Sequence, residues 1–422
     1  MARKNTVEEP AVLPVQSQAG VTIAQKIGAV AANYNERPVN LDRGDLMLSC
    51  LHSRSWALDL SMGGGWAGGR WITILGPEGS GKSTLLYHAC AMAQYRGIPV
   101  VIFDHEGSAD IVYMKNIGFE PYANLRNPLT GQDVMTPKLG ANGKPLKTMI
   151  PVPSCHYYQP GTGESTYRIM YQILEGLPDV VDPSAGPQAL FVVDSFAAMR
   201  SENVDVDKNP MGAPARMHST WIPFVINLFA KKGVILLGTN QIREKIGIKF
   251  GNPETEPGGW ALKFYPDVKV RVSRDHMLMS KGVVDREGAE LFLPCTARTL
   301  KNKVFRPFQI APFRIQLGWG IDRLTDVYNW LEMTKQVSKT SNGRYTVEME
   351  GWNQQSWPWS AATEWLLTDE LAQAIHGQMY NGEAFARYIY GKPDVSPDVE
   401  EDEDTGAVKP IAELPQIPAE TP

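Results

Sequence analysis

The residues of this 422-residue chain that most clearly suggest chemistry form the glycine-rich stretch "GPEGSGKS" at positions 76–83. It fits the pattern G-x-x-x-x-G-K-[ST] and lies between the apolar run "RWITILG" and the helical pattern "STLLYHACAMAQYRG". In that strand–loop–helix context the glycines let backbone N–H groups face phosphate oxygens, and the helix adds its positive dipole end. The sequence therefore predicts a nucleotide site.

The motif gives individual residues a part in binding ATP and Mg²⁺. We expect Lys82 to reach the β- and γ-phosphates and the hydroxyl of Ser83 to hold Mg²⁺. The residues expected to bind ATP at the motif are Gly76, Pro77, Glu78, Gly79, Ser80, Gly81, Lys82, Ser83 and Thr84.

Three further side chains follow apolar runs or lie close to one. Asp194 ends "ALFVVD", where an acid on the Mg²⁺ side of a nucleotide belongs, and we expect it to act through water. Glu106, at the end of "VVIFDHE", is a candidate general base, although a surface carboxylate fits equally well. Tyr113 could stack on adenine, although a lone tyrosine is more often part of a core.

The elements that must position these residues alternate between two patterns. Fully apolar runs occupy 70–76, 99–105, 189–195 and 233–241, and helical patterns occupy 83–97, 164–177 and 215–233. This alternation predicts an α/β fold with a mostly parallel central sheet flanked by helices. Ligands bind such sheets at the carboxyl ends of the strands.

Composition divides the chain into four expected parts. Residues 1–44 form an N-terminal segment with a short helix at 21–35, assigned to oligomerisation, and residues 45–322 form the core. A Pro-, Gly- and Lys-rich insertion interrupts the core at 127–156. Residues 323–392 form a small α+β domain, and residues 393–422 form an acidic tail that is expected to be disordered.

Charge and composition exclude several classes of protein. The chain has no apolar run of 18 residues and no signal-peptide core, so no membrane partner is expected. The four cysteines lack CxxC spacing, which argues against a metal site or a disulfide framework and favours a cytoplasmic protein. The tail carries a net charge of −8 from nine acidic residues and one lysine; the whole chain is −5, so residues 1–392 sum to +3. The tail could be merely solubilising, or it could compete with a polyanion for a basic surface.

The stretch "GNPETEPGGWALKFY" (251–265) indicates a long loop, and loops of that length are often functional. It overlaps the pattern "WALKFYPDVKVRV" (260–272), which predicts a strand.

With these residues placed, the chain resembles the RecA family of homologous recombinases over about residues 50–320. The segments that carry the resemblance, in order, are "GPEGSGKS", "FDHEGSADIVYMKNIG", "QPGTGES", "VVDSFAAM", "MGAPARM", "NQIREKIGIKFGNPETEPGGWALKFYPDVKVRV" and "LKNKVFRPFQIAPFRI". The segment at 240–265 is the most specific, because helicases that share the core lack it.

The resemblance implies an ATP-dependent recombinase that forms helical filaments of its own copies on single-stranded DNA. Such a protein pairs that strand with homologous duplex DNA and exchanges strands, with DNA-dependent ATP hydrolysis. The catalytic residues implied are Lys82, Glu106, Gln241, Lys301 and Lys303, of which the last two reach the ATP of a neighbouring subunit. Tyr113 is implied as the adenine-stacking residue, with Asp110 in the same pocket. Lys263 and Phe264 are implied at the contact between subunits.

Two loops are implied to bind DNA. Met211 and Ile246 would be apolar wedges, and Gly258 and Gly259 would offer backbone amides to phosphates. The full implied set is Met211, Gly212, Arg216, Arg243, Lys245, Ile246, Gly258 and Gly259. Further basic residues are candidates for a second DNA site, although charged residues on strand pairs are usually a solvated face: Lys269, Arg271, Arg274, Lys281, Arg286 and Arg298.

The chain departs from the family pattern at Trp260, which replaces a polar residue, at Pro223, which replaces a DNA-contacting arginine, and in the insertion at 127–156. These departures suit a divergent or phage-encoded relative. The expected location is the cytoplasm, in association with the nucleoid, or the cytoplasm of the host if the protein is phage-encoded. Loading proteins or proteins that bind single-stranded DNA are candidate partners of the tail. Two alternatives stay open: a ring-forming helicase or motor with the same core, and a non-hydrolysing, ATP-gated mediator that coats DNA.

Overall fold

The computed structural model describes residues 49–139, 144–180, 186–202, 212–244, 254–274 and 292–349, with short pieces at 352–353, 356–358, 361, 366, 371 and 374–375. The chain divides into two units, Met1–Met47 and Leu48–Pro422, and every described residue belongs to the second. The helix predicted at 21–35 and the acidic tail therefore lie outside the described residues.

The described chain alternates helices with strands. The helices are α1 (Trp56–Met62), α2 (Lys82–Tyr95), α3 (Ile111–Ile117), α4 (Gly163–Gly176), α5 (Ala213–Lys231), α6 (Gly259–Phe264) and α7 (Arg323–Met333). The strands are β1 (Cys50–Leu51), β2 (Trp66–Ala67), β3 (Trp71–Gly76), β4 (Val100–Asp104), β5 (Met135–Leu139), β6 (Pro145–Pro151), β7 (Cys155–Tyr158), β8 (Leu190–Asp194), β9 (Ile235–Gln241), β10 (Arg243–Glu244), β11 (Glu254–Thr255), β12 (Val268–Arg274), β13 (Phe292–Asn302), β14 (Ile310–Gln316), β15 (Gly320–Ile321), β16 (Val337–Lys339), β17 (Arg344–Met349), β18 (Trp352–Asn353) and β19 (Trp357–Pro358).

The central sheet has the strand order β15, β14, β13, β12, β3, β9, β8, β4, β7. From β12 to β7 every neighbouring pair is parallel, and β12 to β15 pair antiparallel. This mixed, mostly parallel sheet confirms the predicted α/β class.

The sheet is buried on both faces, which explains why its central strands are apolar throughout. Ile72 and Ile74 of β3 join the apolar cluster that contains α2 and α3, whereas Trp71 joins the cluster that contains α4 and α5. Because successive strand residues point to opposite faces, an uninterrupted apolar run serves both clusters.

Helix α6 corrects the expectation of a strand that begins at residue 260. The helix starts after Gly258, which has a left-handed backbone (φ 95°), and it buries Ala261 and Leu262. Trp260 and Phe264, four residues apart, share the exposed face and stack with ring centroids 5.2 Å apart. The strand begins only at Val268 of β12 because helical packing against α5 takes the preceding residues.

The insertion at 127–156 contains the antiparallel pair β5–β6, in which Met135 lies opposite Pro151. Several apolar side chains of this hairpin are exposed, among them Leu139 and Met149. Cys155 and His156 already belong to β7 of the central sheet.

A third apolar cluster lies mainly after residue 322 and includes Trp330, Tyr345 and Trp357, with Leu60 of α1 joining it. Buried Asp326 of α7 fastens this part to α1, because its carboxylate accepts hydrogen bonds from the Ser55 hydroxyl and from the Trp56 amide (2.7 Å). The domain boundary at 322/323 stays a prediction.

Within the part of the chain that the structure describes, no helix is both long enough and apolar enough to cross a membrane.

Burial raises the pKa of Asp326 from 3.8 to about 7, against the opposing effect of its two hydrogen bonds. The native state therefore holds a proton that the unfolded chain releases, so the contribution of Asp326 to stability falls as pH rises from 3.8 to about 7. We expect the melting temperature of Asp326→Asn to fall less than that of the parent over this interval in thermal unfolding. Exposed Glu120→Gln serves as the control and should follow the parent; parallel curves for all three proteins would refute the assignment.

Candidate nucleotide site and nucleic-acid loops

The register of the parallel strands brings the predicted nucleotide residues to one edge of the sheet. Gly76 of β3 lies opposite Gln241 of β9, and Asp104 of β4 lies opposite Asp194 of β8. Since β8 and β9 are themselves neighbours, the carboxyl ends of four strands meet there. We call this side of the sheet the carboxyl edge.

The glycine-rich loop fits a phosphate group. Gly81 precedes α2 with a left-handed backbone (φ 94°) and gives no side-chain cap to the helix, so the first amides of α2 lack that partner. A Cβ at Gly81 would lie 2.3 Å from Cδ1 of Ile315, so the turn also excludes other residues sterically. The Ser80 hydroxyl stabilises the loop by donating to the carbonyl of Pro77 (2.9 Å).

Lys82 lies between this loop and the acids of the carboxyl edge. Its Nζ donates to the carbonyl oxygen of Pro77 at 2.6 Å. Burial lowers the pKa of Lys82, while Asp194, Glu106 and Glu78 act in the opposite direction. A cation in this position can contact phosphate oxygens without leaving the loop.

Asp194 and Ser83 are brought together as the sequence predicted for a Mg²⁺ site. One carboxylate oxygen of Asp194 accepts from the Ser83 hydroxyl (3.0 Å), and the other accepts from the Thr239 hydroxyl (2.6 Å). Burial raises the pKa of Asp194, and both hydroxyl donors counteract that effect. A hydroxyl beside a fixed carboxylate suits Mg²⁺, which prefers hard oxygen ligands and retains water.

Glu106 is exposed and accepts a hydrogen bond from the hydroxyl of Ser195. Its own amide donates to one carboxylate oxygen of Asp104 at 2.9 Å, as does the amide of Gly107 at 2.8 Å. The hydroxyl of Tyr157 donates to the other oxygen of Asp104. The position of the candidate base is therefore fixed through Asp104 and Ser195.

The residues expected on the adenine side, Asp110 and Tyr113, lie at α3. The hydroxyl of half-buried Tyr113 lies 2.8 Å from that of Thr84, so the tyrosine is joined directly to the helix that follows the loop. Asp110 caps α3 by accepting from the Tyr113 amide (3.0 Å). Burial raises the pKa of the Tyr113 phenol.

Sequence reasoning assigned no part in this site to five residues that support it: Asp104, Tyr157, Ser195, Thr239 and Arg274. The first four lie at or beside the ends of strands of the central sheet, and that position was the available signal. Arg274, at the end of β12, donates from Nε to the carbonyl of Gly79 at 2.8 Å.

Two candidates for a second DNA site are engaged within the chain. Arg274 contacts the glycine-rich loop, and buried Lys269 forms an ion pair with Glu256. Lys281 and Arg286 lie outside the described residues.

Lys301 and Lys303 lie at the opposite edge from Lys82. Lys301 of β13 pairs with Lys269, near the start of β12, and Val268 pairs with Ile72, near the start of β3. A six-residue strand spans roughly 20 Å, so these lysines cannot join the Lys82 site of their own chain. The Nζ of Lys301 donates to the Phe264 carbonyl (2.7 Å), and that of Lys303 donates to Asp267 (3.0 Å). We call this side the amino edge.

The described ends of the two candidate DNA loops lie side by side. A Cβ at Gly259, at the start of α6, would lie 2.6 Å from the Cβ of Ala215 in the first turn of α5. Gly212 and exposed Arg216 flank the same turn. Gly258 and Gly259 thus have a packing role as well as the implied contact with DNA.

The second loop is also connected to the carboxyl edge. The side-chain amide group of Asn240 donates to the Pro257 carbonyl (3.2 Å), and its side-chain oxygen accepts from the backbone amide of Gln241 (3.0 Å). Arg243 pairs with Thr255 across a two-stranded stem, β10–β11. Met211, Lys245 and Ile246 lie outside the described residues.

A family model described as the RecA N-terminal domain matches residues 25–134 and 150–322. The chain belongs to the RecA family. It is similar to Protein RecA of Acholeplasma laidlawii, with 31% identity over 304 residues, which cover 71% of this chain and 78% of that relative. It is also similar to Protein RecA of Macrococcus caseolyticus, with 32% identity over 314 residues, 73% of this chain and 75% of the relative. The family model leaves out residues 135–149, within the hairpin β5–β6.

The contact between Thr239 and Asp194 generates a prediction for this RecA-family chain. In Thr239→Val, Asp194 loses one donor, so its charged form is less stable and Mg²⁺ is held less well. We expect ATP to bind about tenfold more weakly in Mg²⁺, in titrations with a fluorescent analogue, with a much smaller change in EDTA. Thr73→Val on neighbouring β3 is a matched control, since the Thr73 hydroxyl is buried and has no partner among the described residues. Equal affinities of both variants for Mg²⁺–ATP would contradict the role of Thr239.

Proposed function

We propose that this chain is an ATP-dependent recombinase whose copies assemble head to tail on single-stranded DNA and pair it with homologous duplex. ATP and Mg²⁺ bind at the carboxyl edge, and DNA binds at the loops that follow Gln241 and precede α5. Membership of the RecA family and the geometry of the glycine-rich loop support this function.

The observation that carries the proposal is the division of the implied catalytic residues between two edges of one sheet. Lys82, Glu106 and Gln241 lie at the carboxyl edge, whereas Lys301 and Lys303 lie at the amino edge. The complete set can form only when the amino edge of one copy faces the carboxyl edge of the next. Such a head-to-tail contact generates a ring or an open helical filament.

The amino edge has features suited to a neighbouring copy. Phe264 is exposed there beside Lys301, and a cavity of about 410 Å³ is lined in part by Arg70, Asn227 and Lys303. Burial, followed by repulsion from Lys303, lowers the pKa of Lys301. A triphosphate supplied by the neighbour would relieve that repulsion and strengthen the contact.

The positions of the side chains support hydrolysis at the carboxyl edge. Glu106 orients and deprotonates the attacking water, held in place by Asp104 and Ser195. Lys82 stabilises charge on the transferred phosphoryl group, and the lysines of the neighbour add to it. Ser83 and, through water, Asp194 would hold Mg²⁺, which would neutralise phosphate charge when bound.

The state of the nucleotide reaches the DNA loops through the end of β9. Gln241 lies at the carboxyl edge. The side-chain amide of Asn240 beside it donates to the carbonyl of Pro257, shortly before α6. Because α6 also packs on the first turn of α5, a shift of Gln241 toward the γ-phosphate would move the ends of both loops. We further propose that the protein acts in the cytoplasm and that its acidic tail competes with DNA or contacts loading proteins.

Electron microscopy tests the assembly. We expect regular helical filaments on single-stranded DNA with a non-hydrolysable ATP analogue and none with Lys82→Ala. Closed rings would instead support a helicase-like motor, and filaments that exchange no strands would support a coating mediator.

A mixing experiment tests the division between the edges. Glu106→Gln lacks the base but keeps the lysines, whereas the double variant Lys301→Ala, Lys303→Ala lacks the lysines but keeps the base. Each should be inactive as a DNA-dependent ATPase by itself. In an equal mixture about a quarter of the interfaces join an intact base to intact lysines, so activity should return to about a quarter of the parent value.

A mixture as inactive as its components would contradict action between subunits. The matched control mixes Glu106→Gln with the triple variant Glu106→Gln, Lys301→Ala, Lys303→Ala: no interface in that mixture has an intact base, so its activity is the background rate.

A further inference from the structure

A second cavity, of about 320 Å³, borders the middle of α2 rather than its first turn. None of its lining residues belongs to the glycine-rich loop, and neither the family resemblance nor the proposed function gives this cavity a part. The polar and aromatic side chains that matter for its chemistry are Arg54, His88, Asn116, Gln316, Trp319 and Arg323.

Arg54 is in an unfavourable state in three respects. Its backbone is left-handed (φ 73°), which is strained for a residue with a Cβ. Burial lowers the pKa of its guanidinium, and the charge of Arg323 lowers it further. No carboxylate among the described residues lies within ion-pair distance of Arg54, whose guanidinium contacts the Met92 sulfur at 3.7 Å. Among the described residues, no contact offsets the strain of the Arg54 backbone or the burial of its charge.

His88 also lines the cavity, and its imidazole has a buried donor. It is 3% exposed, and its Nε2 accepts from the amide of Ile321 at 2.8 Å, so the proton of the neutral ring is on Nδ1. Nδ1 has no hydrogen-bond partner among the described residues. Burial, with smaller effects of Arg54 and His52, lowers the pKa of His88 to about 3, so the ring stays neutral.

The one carboxylate that lines the cavity does not neutralise its cations. Asp322 accepts from Nε of Arg314 at 2.8 Å and from the hydroxyl of Thr325 at 2.6 Å. Arg54 and Arg323 thus remain as two guanidinium groups in a partly enclosed space. An unpaired buried N–H adds to this demand for an acceptor.

We propose that this cavity binds the phosphate group of a small molecule, held by the guanidinium groups of Arg54 and Arg323 and by Nδ1–H of His88. Guanidinium forks match phosphate oxygens in pairs, which a single ammonium group does not. The group is that of inorganic phosphate or of a mononucleotide, whose base would contact exposed Trp319 at the rim.

Two helices connect the cavity to the proposed ATP site, so a phosphate group bound in the cavity would affect ATP binding. His88 lies on α2, which begins with Lys82 and Ser83. Asn116 lies on α3 three residues after Tyr113, and its amide donates to the Gly318 carbonyl (3.0 Å) at the turn that carries Trp319. This coupling rests on the proposed binding of ATP, whereas the anion site does not.

Thermal unfolding with sodium phosphate, compared with sodium chloride of equal ionic strength, tests the site. The parent for the test is Lys82→Ala, in which the glycine-rich loop no longer competes for phosphate. We expect phosphate to raise its melting temperature by about 2–4 °C. The rise should disappear when Arg54→Gly or Arg323→Gln is added and persist when Arg96→Ala, a control at the far end of α2, is added.

Arg54→Gly separates a ligand site from a structural role. Glycine accepts the left-handed backbone and removes the repulsion from Arg323, so without phosphate this variant should be at least as stable as its parent. Lower stability without phosphate, or an undiminished phosphate response in both arginine variants, would overturn the proposal.

A second arm identifies the source of the phosphate group. A larger rise with dAMP than with equal inorganic phosphate, lost in Trp319→Ala, assigns the site to a mononucleotide. Equal rises that do not depend on Trp319 assign it to free phosphate.

Discussion

The parallel register of β3, β9, β8 and β4 is the constraint on which the rest of the molecule depends. It places Gly76 beside Gln241 and Asp104 beside Asp194, so that the glycine-rich loop, the candidate base and the candidate acid on the Mg²⁺ side share one edge. A slip of one residue would turn every side chain of a strand to the other face. The register is fixed because both faces are buried and each strand must satisfy two different apolar clusters.

The fold class and the carboxyl edge were predictable because their signals are local. Apolar runs gave the central strands, and the glycine-rich loop gave the residues around Lys82. The contacts of Asp194 with Thr239 and of Gly79 with Arg274 were not predictable, since they join residues 45 and 195 positions apart. Helix α6 was missed because five of its six residues, "WALKF", fit a strand locally; packing against α5 decides the outcome.

The lysines of the amino edge are only partly neutralised within their own chain, which suits the proposed contact with a neighbouring copy. Asp267 pairs with Lys303 and also lies 3.9 Å from Arg70, so its charge is divided between two cations. Among the described residues, the Nζ of Lys301 donates to a backbone carbonyl and forms no ion pair. Because neither lysine is fully neutralised by a carboxylate, the two neighbouring charges still attract an anion. In the proposed assembly, a nucleotide anion between two copies would stabilise such an interface, so assembly and nucleotide binding would reinforce each other.

Neutralisation by a carboxylate of the same chain distinguishes basic residues that stabilise the fold from those that are available to a ligand. Lys269 and Arg314 are well buried, and each is neutralised by a carboxylate of its own chain, Glu256 and Asp322. Arg54 is also substantially buried, yet it faces Arg323 and bears a strained backbone. A fold does not retain such a combination for its own stability, because glycine at position 54 would remove the strain and the repulsion together. Among the described residues no carboxylate supplies that benefit, which supports the proposed binding of an external anion.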